Sequence, residues 1–76
     1  VMKTIAVKKI FNELTEECNK YPDGVSMNID CTNFTTYFCI CGDTVWRIDE
    51  DDKVLELETN EGTEWIDIES ITRIRI

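Results

Sequence analysis

Apolar residues recur at helical spacing along the first part of the chain. Val7, Ile10, Phe11, Leu14, Cys18 and Tyr21 follow steps of 3, 1, 3, 4 and 3. At ~100° per residue they share an arc of about 100°. Lys8, Lys9, Asn12, Glu13, Glu16, Asn19 and Lys20 fill the opposite side. The pattern predicts an amphipathic helix over residues 4–21, with Thr4 as its N-cap and Glu16 and Lys20 as an i,i+4 pair. Pro22 and then Asp23-Gly24 end it. The period then drops from about 3.6 to about 2. Val25, Met27, Ile29 and Cys31 alternate with Ser26, Asn28 and Asp30, as in a half-buried strand.

A second strand, Phe34 to Cys41, follows the turn signal Thr32-Asn33. A two-residue turn sets Cys31 opposite Phe34, Ile29 opposite Thr36, Met27 opposite Phe38 and Val25 opposite Ile40. That register gathers nearly all the apolar residues on one face. Tyr37, Cys39 and Cys41 then point the other way, as in a strand covered on both sides. Gly42-Asp43 fits either a tight hairpin turn or a bulge in one long bent strand. Thr44 to Ile48 is the next strand, with Trp46 read as a core residue opposite Cys39.

Asp49-Glu50-Asp51-Asp52 is an acidic turn. Lys53 to Thr59 is a strand with Leu55 and Leu57 on one face and Glu56 and Glu58 on the other. Asn60-Glu61-Gly62 turns the chain into Thr63 to Ile68, where Ile66 and Ile68 face inward and Trp65 shares the outer face with Thr63 and Asp67. Glu69-Ser70-Ile71 fits one helical or 3₁₀ turn. Thr72 to Ile76 is the last strand, with Arg73 and Arg75 outward as balance for nearby acids. The whole predicts one α+β domain over residues 1–76. In it a helix sits on five or six short antiparallel strands that form a small barrel or a strongly bent sheet.

The stretch Trp65-Ile66-Asp67-Ile68-Glu69-Ser70-Ile71-Thr72-Arg73-Ile74 and the preceding Val45-Trp46-Arg47-Ile48-Asp49 and Val54-Leu55-Glu56-Leu57 carry a resemblance. Their order is similar to the closing half of SH3-like and Sm-like small barrels. Among bacterial families they resemble the YolD-like proteins and the Rof-type inhibitors of the Rho terminator. Members of the first are associated with damage-tolerance DNA polymerases, and members of the second are small acidic proteins that bind a nucleic-acid enzyme. The resemblance spans roughly residues 44–76 and lies in hydrophobic spacing, so it implies a fold and places no functional residue. The Asn and Gly pattern of RNA-binding Sm proteins is absent, and RNA binding is not implied.

Charge changes the picture. The 76 residues carry a net charge of −8. Residues 1–22 hold four lysines and three glutamates, whereas residues 23–76 hold four basic and thirteen acidic residues. An acidic surface of this kind keeps small domains apart in solution. It also repels phosphate backbones and steers basic partners inward. Val1 ahead of Met2 reads as an expression remnant. No apolar run reaches the ~18 residues of a membrane span, and no segment reads as a signal peptide. The expectation is a cytoplasmic protein with free thiols, binding neither nucleic acid nor membrane.

Catalytic chemistry is hard to build here. There is no histidine, hence no ordinary general base near neutral pH and no Cys–His pair. Phosphate-binding and dinucleotide-binding glycine motifs are missing. The expectation is no enzyme and no cofactor. Cys18, Cys31 and Cys39-x-Cys41 make a poor zinc knuckle, and the two-residue turn sends Cys31 away from Cys39 and Cys41. Core cysteines are the plainer reading, with a cysteine metal or redox site as the alternative. Asp49–Asp52 lacks the alternating spacing of a calcium loop.

What remains is surface. Asp49, Glu50, Asp51, Asp52, Glu56, Glu58, Glu61, Glu64 and Trp65 form a candidate partner-binding set, with tryptophan a residue type enriched at interface hot spots. The expected function is a small non-catalytic protein-interaction module for a partner with a basic surface, such as a regulator or inhibitor of a nucleic-acid-handling protein. Self-association through the last strand or Trp65 is a further reading.

Overall fold

The helical pattern at the start of the chain forms helix α1, Thr4–Cys18. The structure, a computed structural model, describes residues 2–21, 23–41, 44–59 and 62–76. The expected apolar face buries Val7, Phe11, Leu14 and Cys18, with Ile10 half-buried. Three details differ from the sequence reading. The N-cap is Lys3, in extended conformation and without a side-chain capping bond, so Thr4 lies inside the helix. The helix stops at Cys18, because Asn19 N–H and Lys20 N–H turn back to Glu16 O (3.3 Å) and Glu17 O (2.9 Å) and tighten the last turn. Tyr21 therefore lies beyond the helix and exposed. Lys20 meets Glu17 (3.4 Å), not Glu16.

Six strands follow: β1 (Val25–Cys31), β2 (Thr35–Ile40), β3 (Val45–Asp49), β4 (Val54–Thr59), β5 (Gly62–Asp67) and, after a 3₁₀ turn at Ile68–Ser70, β6 (Ile71–Arg75). β1 and β2 pair in the register the alternation demands: Val25 with Ile40, Met27 with Phe38, Ile29 with Thr36. Cys31 N–H closes their turn on Phe34 O at 2.7 Å.

The strands form two three-stranded antiparallel sheets, ordered β2-β1-β6 and β3-β4-β5. Among the described residues no strand belongs to both sheets, so the expected barrel is not closed and the fold is an α+β pair of small sheets. Among the described residues β3 takes β4 as its only neighbour in the sheet, which puts Trp46 opposite Leu57 instead of Cys39. The choice between turn and bulge at Gly42-Asp43 lies outside the described residues.

The inner faces of both sheets and the apolar face of α1 share one core. Phe11, Met27, Ile29, Leu55, Leu57, Ile68 and Ile71 are fully buried in it, each worth ~1.5–3 kcal/mol of apolar transfer. Trp46 seals the core beneath the helix. Its ring lies 5.6 Å from that of Phe11, and its Nε1–H donates to Thr15 Oγ1 at 2.9 Å. Thr15 in turn donates to Phe11 O at 2.9 Å. Gly24 enters β1 with φ +86, where a Cβ would stand 2.5 Å from Ile40 O, so glycine is required there. Among the described residues no helix is long and apolar enough to cross a membrane.

Candidate functional site

The second sheet shows one face to the core and one to solvent. Strand alternation decides which residues reach each side. Trp46, Ile48, Leu55, Leu57 and Ile66 point inward. The outer face carries three cross-strand rows: Val45–Glu58–Thr63, Arg47–Glu56–Trp65 and Asp49–Val54–Asp67.

Side-chain bonds run along the middle row of that face. Trp65 is 66% exposed, yet its ring is not free. Its Nε1–H donates to Glu56 Oε1 at 2.9 Å. The second carboxylate oxygen of Glu56 accepts from Arg47 Nη1. Arg47 also reaches Glu58 at 3.8 Å. The indole is thus presented to solvent in one orientation by a chain of bonded side chains.

Beside it lies a groove of about 490 Å³ lined by Arg47, Ile48, Asp49, Asp52, Val54, Glu56 and Trp65. Its rim is shaped by the acidic turn. Asp49 Oδ1 accepts from the backbone N–H groups of Asp51 and Asp52, both at 3.0 Å, which folds the turn on its own side chain. Lys53 leaves the turn in the left-handed region, φ 55.

The candidate residues divide as follows. Asp49, Asp52, Glu56 and Trp65 meet around the groove. Glu58 stands one row away on the same face. Glu50 and Asp51 are exposed in the turn, and Glu50 turns toward Lys8 of α1 (3.7 Å). Glu64 does not join them. It pairs with Leu57 on the inward-facing side of the sheet, where it is exposed beside Tyr37 and Phe38 of β2. Glu61 lies outside the described residues. Arg47 and the outward apolar residue Val54 belong to the site although the charge pattern did not select them. Arg47 was legible as the residue between inward Trp46 and Ile48.

The first sheet presents a different surface. Asp30 is only 9% exposed, on the side away from the core residues Met27 and Ile29. Arg73 Nε donates to its Oδ2 at 2.7 Å. Arg75 donates Nε to Oδ2 and Nη2 to Oδ1, both at 3.1 Å. Thr35 adds a bond to Oδ1 at 3.0 Å. The two guanidinium groups hold the Asp30 carboxyl down at about 2, against the partial desolvation that opposes them. Arg73 and Arg75 thus balance an acid, as the sequence suggested.

The four cysteines differ in exposure. Cys18 is buried and donates to Ile40 O at 3.3 Å. Burial pushes its thiol up, with Cys41, Cys39 and Glu17 adding to the rise. Cys31 and Cys41 are half-buried, but Cys39 is exposed, which corrects the expectation of four core cysteines. Cys39 lies on the outer side of edge strand β2, opposite Ser26. Among the described residues no three His, Cys, Asp or Glu side chains are placed to hold a metal ion. Compared with known proteins, the chain matches no family model, no curated protein and no solved structure.

Proposed function

We propose that this protein is a non-catalytic binding module whose second sheet receives a basic segment of a partner protein. One observation carries the reading: an exposed tryptophan, clamped by Glu56, borders a groove rimmed by the carboxylates of Asp49 and Asp52. Exposed aromatic surface of this kind supplies contact area at little ordering cost, and the carboxylates supply steering and register. Arg47 offsets part of the negative charge, so the site suits a few placed cations better than a uniformly basic surface. Proteins that handle nucleic acid carry such basic segments, which makes them the partner class the face suits.

The test is a titration of the isotope-labelled protein with short lysine- and arginine-rich peptides, following the Trp65 indole N–H by NMR at two salt concentrations. Saturable shifts at Trp65 that weaken as salt rises are expected. A response at Trp65 indifferent to salt, or none at all, overturns the proposal.

A further inference from the structure

We infer that the partner segment binds as an added strand on the free edge of β5. The inference rests on the proposed basic-segment reading and specifies how that segment is held.

Among the described residues β5 pairs with β4 alone. Every second residue of such a strand turns its N–H and C=O away from its neighbour. Gly62 O accepts from Thr59 Oγ1 of β4 (3.2 Å), so Gly62, Glu64 and Ile66 face β4 while Thr63, Trp65 and Asp67 face outward, and Asp67 O already accepts from Ser70 Oγ (2.7 Å). Between them, the backbone of Thr63–Ile66 makes no bond outside the sheet among the described residues. Thr63, Glu64 and Trp65 are all exposed. Thr63 and Trp65 therefore carry the free edge groups, enough to dock a short partner strand.

The side chains along the edge say what the strand carries. A residue added opposite Trp65 extends the row Arg47–Glu56–Trp65 and lies against the indole, where a cation is favoured. A residue opposite Glu64 projects to the other side and meets an exposed carboxylate. The occupant is an extended segment with adjacent basic residues, one for each side of the sheet.

Glu64 also argues against a second β5 as occupant. A charge on the inward side of an edge strand is a known block to self-pairing. Pairing about Glu64 sets two carboxylates face to face, and pairing about Trp65 sets Glu64 against the buried Ile66. The cations of β6 in a second copy are already bonded to Asp30.

The test uses the full chain and the end-blocked peptide Thr-Val-Lys-Arg-Lys-Val-Thr. Two variants carry backbone N-methyl groups, one on the arginine and both valines, the other on both lysines. In an added strand only one of these sets faces β5. One methylated peptide is expected to bind ~10-fold or more weakly than the parent while the other binds nearly as well. Amide exchange within Thr63–Ile66 should slow when the parent binds. Equal behaviour of the two methylated peptides, whether both bind or both fail, overturns strand addition and leaves the basic-segment reading standing. No binding of the parent overturns both. Slowed exchange in β5 on concentrating the protein alone makes a second copy the occupant and overturns the inference.

Discussion

Glu56 holds the indole N–H of Trp65 at 2.9 Å across the β4–β5 pair. This single bond separates two roles that an exposed tryptophan usually confuses. The ring contributes little to the core, but its orientation is fixed. Trp65→Ala should change unfolding free energy by less than about 1 kcal/mol, the usual range for surface positions. The same change should weaken basic-peptide binding by ~10-fold or more, as expected of an aromatic anchor. Urea unfolding and peptide titration measure the two effects. Unchanged affinity would remove Trp65 from the site.

Arg47 works against the proposed ligand. It sits between Glu56 and Glu58 and offsets their charge. Arg47→Gln should therefore tighten binding of a basic peptide several-fold at low salt and steepen its salt dependence. Stability should fall by no more than ~1 kcal/mol, since the pair is exposed on the Arg47 side. Weaker binding by this variant would mean that Arg47 contacts the partner itself.

Asp30 sets the response to acid. Its folded-state value, about 2, lies below the ordinary 3.8. A depressed carboxyl contributes stability that is complete above the unfolded value and is lost as pH falls through the folded one. Stability should thus decline between about pH 4 and pH 2. Asp30→Asn, which leaves Arg73 and Arg75 without their carboxylate, should be less stable than the parent at pH 7. That gap should close near pH 2. Denaturant midpoints across this range test it, and a gap independent of pH would contradict the assignment.

Gly24→Ala should destabilise the protein by ~1–3 kcal/mol. The added methyl meets the carbonyl oxygen of Ile40, and the backbone stands in the left-handed region. A thermal melt shows the change directly; an unshifted melt would contradict the geometry of the β1 entry.

Thiol titration should resolve at least two classes of cysteine. Cys39, exposed on β2, should react in the folded protein, and buried Cys18 only on unfolding. The raised thiol of Cys18 slows it further, because the thiolate is the reactive form. Fast reaction at Cys18 would place the C-terminal turn of α1 outside the core.

Much of the fold was legible in local periodicity. The face of α1 and the β1–β2 register follow from apolar spacing, because one buried face penalises any one-residue slip. The break between sheets was not legible: it depends on which neighbour β3 takes, a choice between distant segments. The same limit applies to Trp46. Its inward side was readable, though it is only half-buried, and its partners Phe11 and Thr15 lie 35 and 31 residues away. The candidate site was half readable. Alternation already separates Glu64 from Trp65, whereas grouping by charge merged them. Asp30 read as an ordinary outward polar residue, since nothing local announces two arginines arriving from β6.

The pairing of β1 with β6 has a consequence for how the chain reaches this structure. Asp30 bonds Arg73 across 43 residues of sequence, and closing a loop of that length costs entropy before any contact is gained. During synthesis β1 and β2 can meet early, as a local hairpin. The first sheet cannot be completed until the residues through Arg75 have cleared the ribosome. Until then β1 has an unfilled edge and the Asp30 carboxylate lacks its arginines. The late arrival of β6 therefore makes assembly of the first sheet a late event, and a nascent chain halted before Arg73 would expose the β1 edge to the chaperones that meet it.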